Sequence, residues 1–131
     1  MMQILQPPSW ARPRGFSNGI VVRGGKTVYI AGQVGTTGLG EWREKTFAGQ
    51  FRQTLKNILE VLAEAGGRPQ HLVRLTWYVL DRQEYLNSLK PVGAAYRELM
   101  GKHYPTMAVV QVGGLVEPEA RLEIEATAVI P

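Results

Sequence analysis

The sequence predicts a single α+β domain. Three observations lead there: a length of 131 residues, one long amphipathic stretch at residues 46–65, and short strand-like runs on both sides of it. That length suits one buried core and is too short for two substantial ones, so residues 1–131 are read as one domain. Apolar residues make up 44% and charged residues 20%, which excludes a disordered or fibrous chain.

The first elements are read as a hairpin. Ile20 to Val22 runs through Arg23-Gly24-Gly25-Lys26 into a second strand at Thr27 to Ala31, and paired glycines supply the positive φ of a tight turn. That strand continues into Gly32-Gln33. Residues 35–40 hold three glycines and read as a flexible loop of the kind that borders sites.

From Thr46 to Ala65 the residues Phe47, Phe51, Leu55, Ile58, Leu59 and Leu62 recur at three- and four-residue spacing, which predicts a helix with one apolar face. Gly66-Gly67 and Pro69 end it. Leu72 to Leu80 is a strand, with Val73, Leu75, Trp77 and Val79 on one face and Arg74, Thr76 and Tyr78 on the other. Asp81 and Glu84 fit a capping box that opens a second helical region carrying Tyr85, Leu89, Val92, Tyr96 and Leu99, which Pro91 divides and Gly101 ends. Two strands close the chain, Met107 to Val112 and Leu122 to Ile130. The order is ββαβαββ, two helices on one face of a sheet whose other face needs cover, for which a second subunit is the expected source.

Composition narrows the chemistry. There are no cysteines, which excludes disulfides and thiolate sites and makes a reducing cytoplasm the simplest setting. No stretch approaches the roughly 18 apolar residues of a bilayer span, and the first ten residues lack the pattern of a leader. The net charge of +4 comes wholly from Arg12, Arg14, Arg23 and Lys26, because from Glu41 onward eleven bases balance eleven acids. Four bases spread so thinly are a solvated edge, and nucleic acid is not an expected partner.

Catalytic motifs are scarce. His71 and His103 are too few for a three-histidine metal site, so no metal is expected; His71 reads as a surface residue and His103 as part of a connection near a cleft. None of Ser9, Ser17 and Ser88 lies in a nucleophile elbow, and the glycine pairs match no nucleotide-binding loop, so no cofactor is expected. What remains is the last strand, where alternation sends Leu122, Ile124, Ala126 and Ala128 one way and Glu123, Glu125 and Thr127 the other. A carboxylate on a partly covered sheet face can hold a water or move a proton; equally, both glutamates can pair with Arg74 or a neighbouring subunit.

Several of these pieces together resemble one family: Gly15-Phe16-Ser17, Ala31-Gly32-Gln33, Glu64-Ala65-Gly66, Tyr104-Pro105 and the closing Leu122-Glu123-Ile124-Glu125-Ala126. The chain is similar over nearly its whole length to the reactive intermediate deaminases, also called RidA or YjgF-like proteins. The resemblance implies a chorismate-mutase-like fold, a homotrimer with a central barrel, and ligand clefts between subunits. It also implies deamination of 2-imino or enamino acids by addition of water, without metal or cofactor.

Residue by residue, the resemblance puts the family's cleft tyrosine at Phe16, its Ser-Gly-Gln at Ala31-Gly32-Gln33 and its water-positioning glutamate at Glu123, the expected catalytic group. Tyr104 borders the same cleft, and a cleft asparagine falls near Gly93. Met107 stands where the family has an arginine that clamps the substrate carboxylate. A thioether offers neither charge nor donor, so the pocket is expected to be more apolar, with Arg14, or Arg97 of a neighbouring chain, as the candidate replacement charge. The expected protein is thus a trimer binding a small enamine, imine or carbonyl metabolite, a divergent deaminase or hydrolase. The alternatives are an ordinary 2-iminobutanoate/2-iminopropanoate deaminase, a metabolite-binding module without turnover, and a ribonuclease-like protein.

Overall fold

The computed structural model describes residues 2–131. Its elements are β1 (Met2–Leu5), β2 (Gly19–Val22), β3 (Lys26–Gln33), α1 (Phe47–Glu64), β4 (Leu72–Val79), α2 (Arg82–Asn87), α3 (Leu89–Met100), β5 (Thr106–Gln111) and β6 (Leu122–Ile130). A single 3₁₀ turn, Pro69–His71, leads into β4. The α+β class and the helices packed on one sheet agree with the sequence reading.

Four strands form the main sheet in the order β3-β6-β4-β5, antiparallel except for the parallel β4–β5 pair. A parallel pair needs a crossover connection, and α2 and α3 supply it. Burial along β6 alternates strictly: Leu122, Ile124, Ala126, Ala128 and Ile130 are buried, against Leu55, Ile58 and Leu62 of α1 in the same core. Glu123, Glu125 and Thr127 lie on the opposite, open face, as alternation requires.

The predicted hairpin is not formed. Gly24 and Gly25 do turn the chain with φ of 67° and 85°, but β2 pairs with β1 in a separate two-stranded sheet, and β3 pairs with β6. A Cβ at Gly25 would sit 2.6 Å from the Ile130 carbonyl oxygen, so the turn is pressed onto the end of β6 and delivers β3 to that strand instead of back to β2. The order therefore begins with one more strand than the sequence suggested. β1 is only four residues long, and its exposed Ile4 and Leu5 give no alternation to read.

The face assignment in β4 also changes at one residue. Leu72 pairs with Ala128 and Arg74 with Thr127, so Val73 is an extra residue in the ladder, and both Leu72 and Leu75 face the core.

Helix ends follow local chemistry. Thr46 caps α1 by accepting from Gly49 N, and Gly66 at φ 80° closes it, with Gly67 N donating to Leu62 O and Gly66 N to Ala63 O. Asp81 caps α2 through Gln83 N and Glu84 N, while the Glu84 carboxylate binds Arg121 instead of reaching back. The second helical region is indeed two helices, parted at Ser88. Pro91 then sits in the first turn of α3, where a missing N–H costs little.

Two details were invisible to apolar periodicity. Gln50 is 2% exposed and satisfies three backbone groups: its Nε2 donates to Glu44 O and Glu119 O, and its Oε1 accepts from Arg121 N at 2.8 Å. The loop at 35–40, predicted flexible, is tied to α1 by Asn57 Nδ2, which donates to Val34 O and to Thr36 O at 2.7 Å.

Candidate functional site

The candidate residues gather in two places, one at the β5 edge of the sheet and one where β3 meets β6. The first forms between β4, β5, α2, α3 and the loop before β2. Ser17 is buried and fastens that loop to the residues preceding β5: Ser17 N donates to Pro105 O at 3.1 Å and Ser17 Oγ to Tyr104 O at 2.5 Å. Phe16 is thereby held beside Met107 at the mouth of a cavity of about 560 Å³. Parallel register sets Met107 opposite Leu75 and Val109 opposite Trp77, so both point to the helix-covered side of the sheet.

The cavity walls are largely aromatic. Tyr104 stacks on Tyr96 at 5.1 Å, and Trp77 meets Tyr85 edge to face at 5.9 Å while stacking on Phe51 beneath. Burial pushes the Tyr85 phenol up, and burial with the neighbouring Tyr104 raises that of Tyr96, so both stay neutral donors. The Tyr96 hydroxyl is already used, donating to His103 O at 2.6 Å. Polar character comes from Arg14 and Arg97, which line the cavity in the same chain. Neither has an ion-pair partner among the described residues.

The second part lies on the open face where β3 meets β6. Ile30 pairs with Ala126 and Gln33 with Ile124, which leaves one extra residue in the Ala31-Gly32 segment and bulges the strand there. The Glu123 carboxylate rests against Gly32 so closely that a Cβ at that position would overlap it. Glu123 has no hydrogen-bond or ion-pair partner among the described residues, whereas Glu125 accepts from Tyr78 Oη at 2.9 Å. That bond holds the Tyr78 hydroxyl's pKa above its ordinary value.

The residues singled out in the sequence therefore fall into two groups. Arg14, Phe16, Tyr104 and Met107 meet at the cavity, and Ala31, Gly32 and Glu123 gather at the bulge. One chain does not join the groups. Register places Glu123 on Tyr78 and Val110, three residues along from Met107, two strands away and on the other sheet face. That is roughly 10 Å in each direction. Arg97, weighed from the sequence only as a neighbouring chain's contribution, borders the cavity of its own chain.

Trp77 and Tyr85 were missed as site residues because a strand tryptophan and a helical tyrosine read simply as core. A signal for Arg97 was present: Gly93, a mid-helix glycine one turn earlier, beside which the guanidinium lies. His103 does not line the cavity; its Nε2 bonds Leu72 O at 2.7 Å and ties the start of β4 to the end of α3, and His71 caps the 3₁₀ turn by accepting from Arg68 N.

Comparisons with known proteins agree with this architecture. The family model described as Endoribonuclease L-PSP matches residues 11–130. A human protein named 2-iminobutanoate/2-iminopropanoate deaminase is 31% identical over 105 residues, which are 79% of this chain and 73% of the relative. A RutC family protein of Pyrococcus horikoshii is 30% identical, over 82% of each chain. Among solved structures, a Rid family protein of unknown function from Yersinia pestis superposes with a TM-score of 0.87 at 30% identity over 98% of both chains. The YjgF gene product of Escherichia coli gives 0.69 at 28% identity over 85% of both.

Proposed function

The chain belongs to the Endoribonuclease L-PSP family, that of the Rid proteins, and from that premise we propose that it acts on a small enamine, imine or carbonyl compound held between two copies of itself. The observation that carries this is the divided site. A cavity without a carboxylate or histidine sits at the β5 edge, and a carboxylate without a partner sits where β3 meets β6. A ring of three subunits brings the β3 edge of one chain to the β5 edge of the next and covers the open face, including Tyr29, which is 81% exposed.

In that cleft Glu123 takes a proton from water as the water oxygen bonds to the imine carbon, giving a carbinolamine. Glu123 returns that proton to the nitrogen to complete the carbinolamine, whose hydroxyl proton then moves through Glu123 to the amino nitrogen as the C–N bond breaks, so ammonia leaves and a carbonyl compound remains. Gly32 keeps the carboxylate's position clear, and Phe16, Tyr104 and Met107 contact the ligand's apolar part. With Met107 in place of a clamping arginine, the smallest 2-imino acids lose their usual anchor.

Two measurements test this. Sedimentation of the full chain is expected to give a trimer, and a monomer at working concentration removes the shared cleft. Ammonia release from freshly generated imines is expected to accelerate with the protein and not with Glu123→Gln. If no precursor among several amino acids shows acceleration, the catalytic reading fails.

A further inference from the structure

We infer that the cavity at the β5 edge selects a carboxylate carrying an aromatic body, with Arg97 and Arg14 binding the anion. This rests on the reading of that cavity as half of the ligand site. Two independent observations converge on it.

The first is charge. Arg14 and Arg97 line the same cavity as Met107, and neither is engaged in an ion pair among the described residues. Arg97 lies back along α3 against Gly93, where an added Cβ would come within 3.2 Å of its Nη1. Long helical side chains lean toward the N-terminus in this way, and here that direction leads to Leu89 and Val92, which also line the cavity. A glycine in a helix interior is unfavourable relative to alanine; at 93 it leaves room for this guanidinium.

The second is size and character. About 560 Å³ walled by aromatic rings lies within the roughly 300–1,000 Å³ range of small-molecule sites and exceeds what a three- or four-carbon acid fills.

The test is calorimetric titration of the full-length protein with para-hydroxyphenylpropanoate, its carboxamide, and propanoate. None has an imine to hydrolyse, so binding is read without turnover. The aryl acid is expected to bind about tenfold or more tightly than either the uncharged amide or propanoate. That advantage over the amide should vanish in the Arg14→Gln, Arg97→Gln double variant, whose changes are at exposed positions and leave the core intact. Equal binding of acid and amide, equal binding of propanoate, no binding of the aryl acid, or an unaltered double variant overturns the inference. Tight aryl-acid binding in a protein that releases no ammonia from any imine sustains the inference while the catalytic reading falls. Imine deamination without aryl preference does the reverse.

Discussion

The Glu123 carboxylate lies directly against the Cα of Gly32, at a bulge where β3 carries one residue more than its partner β6. The backbone of Gly32 is ordinary, so its small size, not conformational freedom, is what the position uses. Gly32→Ala is expected to displace the carboxylate while barely moving the melting temperature, because the far end of a glutamate yields easily. Imine turnover should fall about 10²–10⁴-fold, matching Glu123→Gln. Steady-state rates of the two variants side by side check this.

Phe51 is fully buried and stacks on Trp77 at 4.8 Å, so it supports the cavity wall from below. Phe51→Ala should destabilise the protein by about 3–5 kcal/mol through lost burial and the void left behind. Urea denaturation followed by tryptophan fluorescence measures it.

Gln50 holds the β5–β6 connection onto α1 through Glu119 O and Arg121 N, and the loop before α1 through Glu44 O. Gln50→Leu keeps the bulk but strands Arg121 N and two carbonyls, at an expected cost of about 2–4 kcal/mol. A change well under 1 kcal/mol in the same urea experiment contradicts this account.

Tyr96 has its pKa raised in the folded protein by burial and by Tyr104. The sign follows directly: the folded state keeps its proton where the unfolded chain gives it up. Stability is therefore full below the ordinary tyrosine value near 10 and declines as pH rises above it. Tyr96→Phe should lose about 0.5–1.5 kcal/mol at neutral pH, with the bond to His103 O, and show a shallower alkaline decline. Thermal melts from pH 7 to 11 resolve both effects.

Much of this protein is determined by its sequence alone, because the signals are local. Alternation over Leu122–Ile130 assigned Glu123 and Glu125 to one face, and the spacing of Phe47, Phe51, Leu55, Ile58 and Leu62, with Thr46 and Gly66 at the ends, defined α1. Tertiary structure decided the rest, because strand pairing is a contest between distant segments. Gly24-Gly25 permits a hairpin, but β3 gains more by lying on β6 beside the core, and β2 is left to β1. The same sheet order sets Glu123 two strands away from Met107 and on the opposite face, which no residue spacing could reveal. It also brings Trp77, Tyr85 and Arg97 around one cavity, since a side chain's neighbours across a sheet and helix layer depend on register and packing, not on its place in the chain.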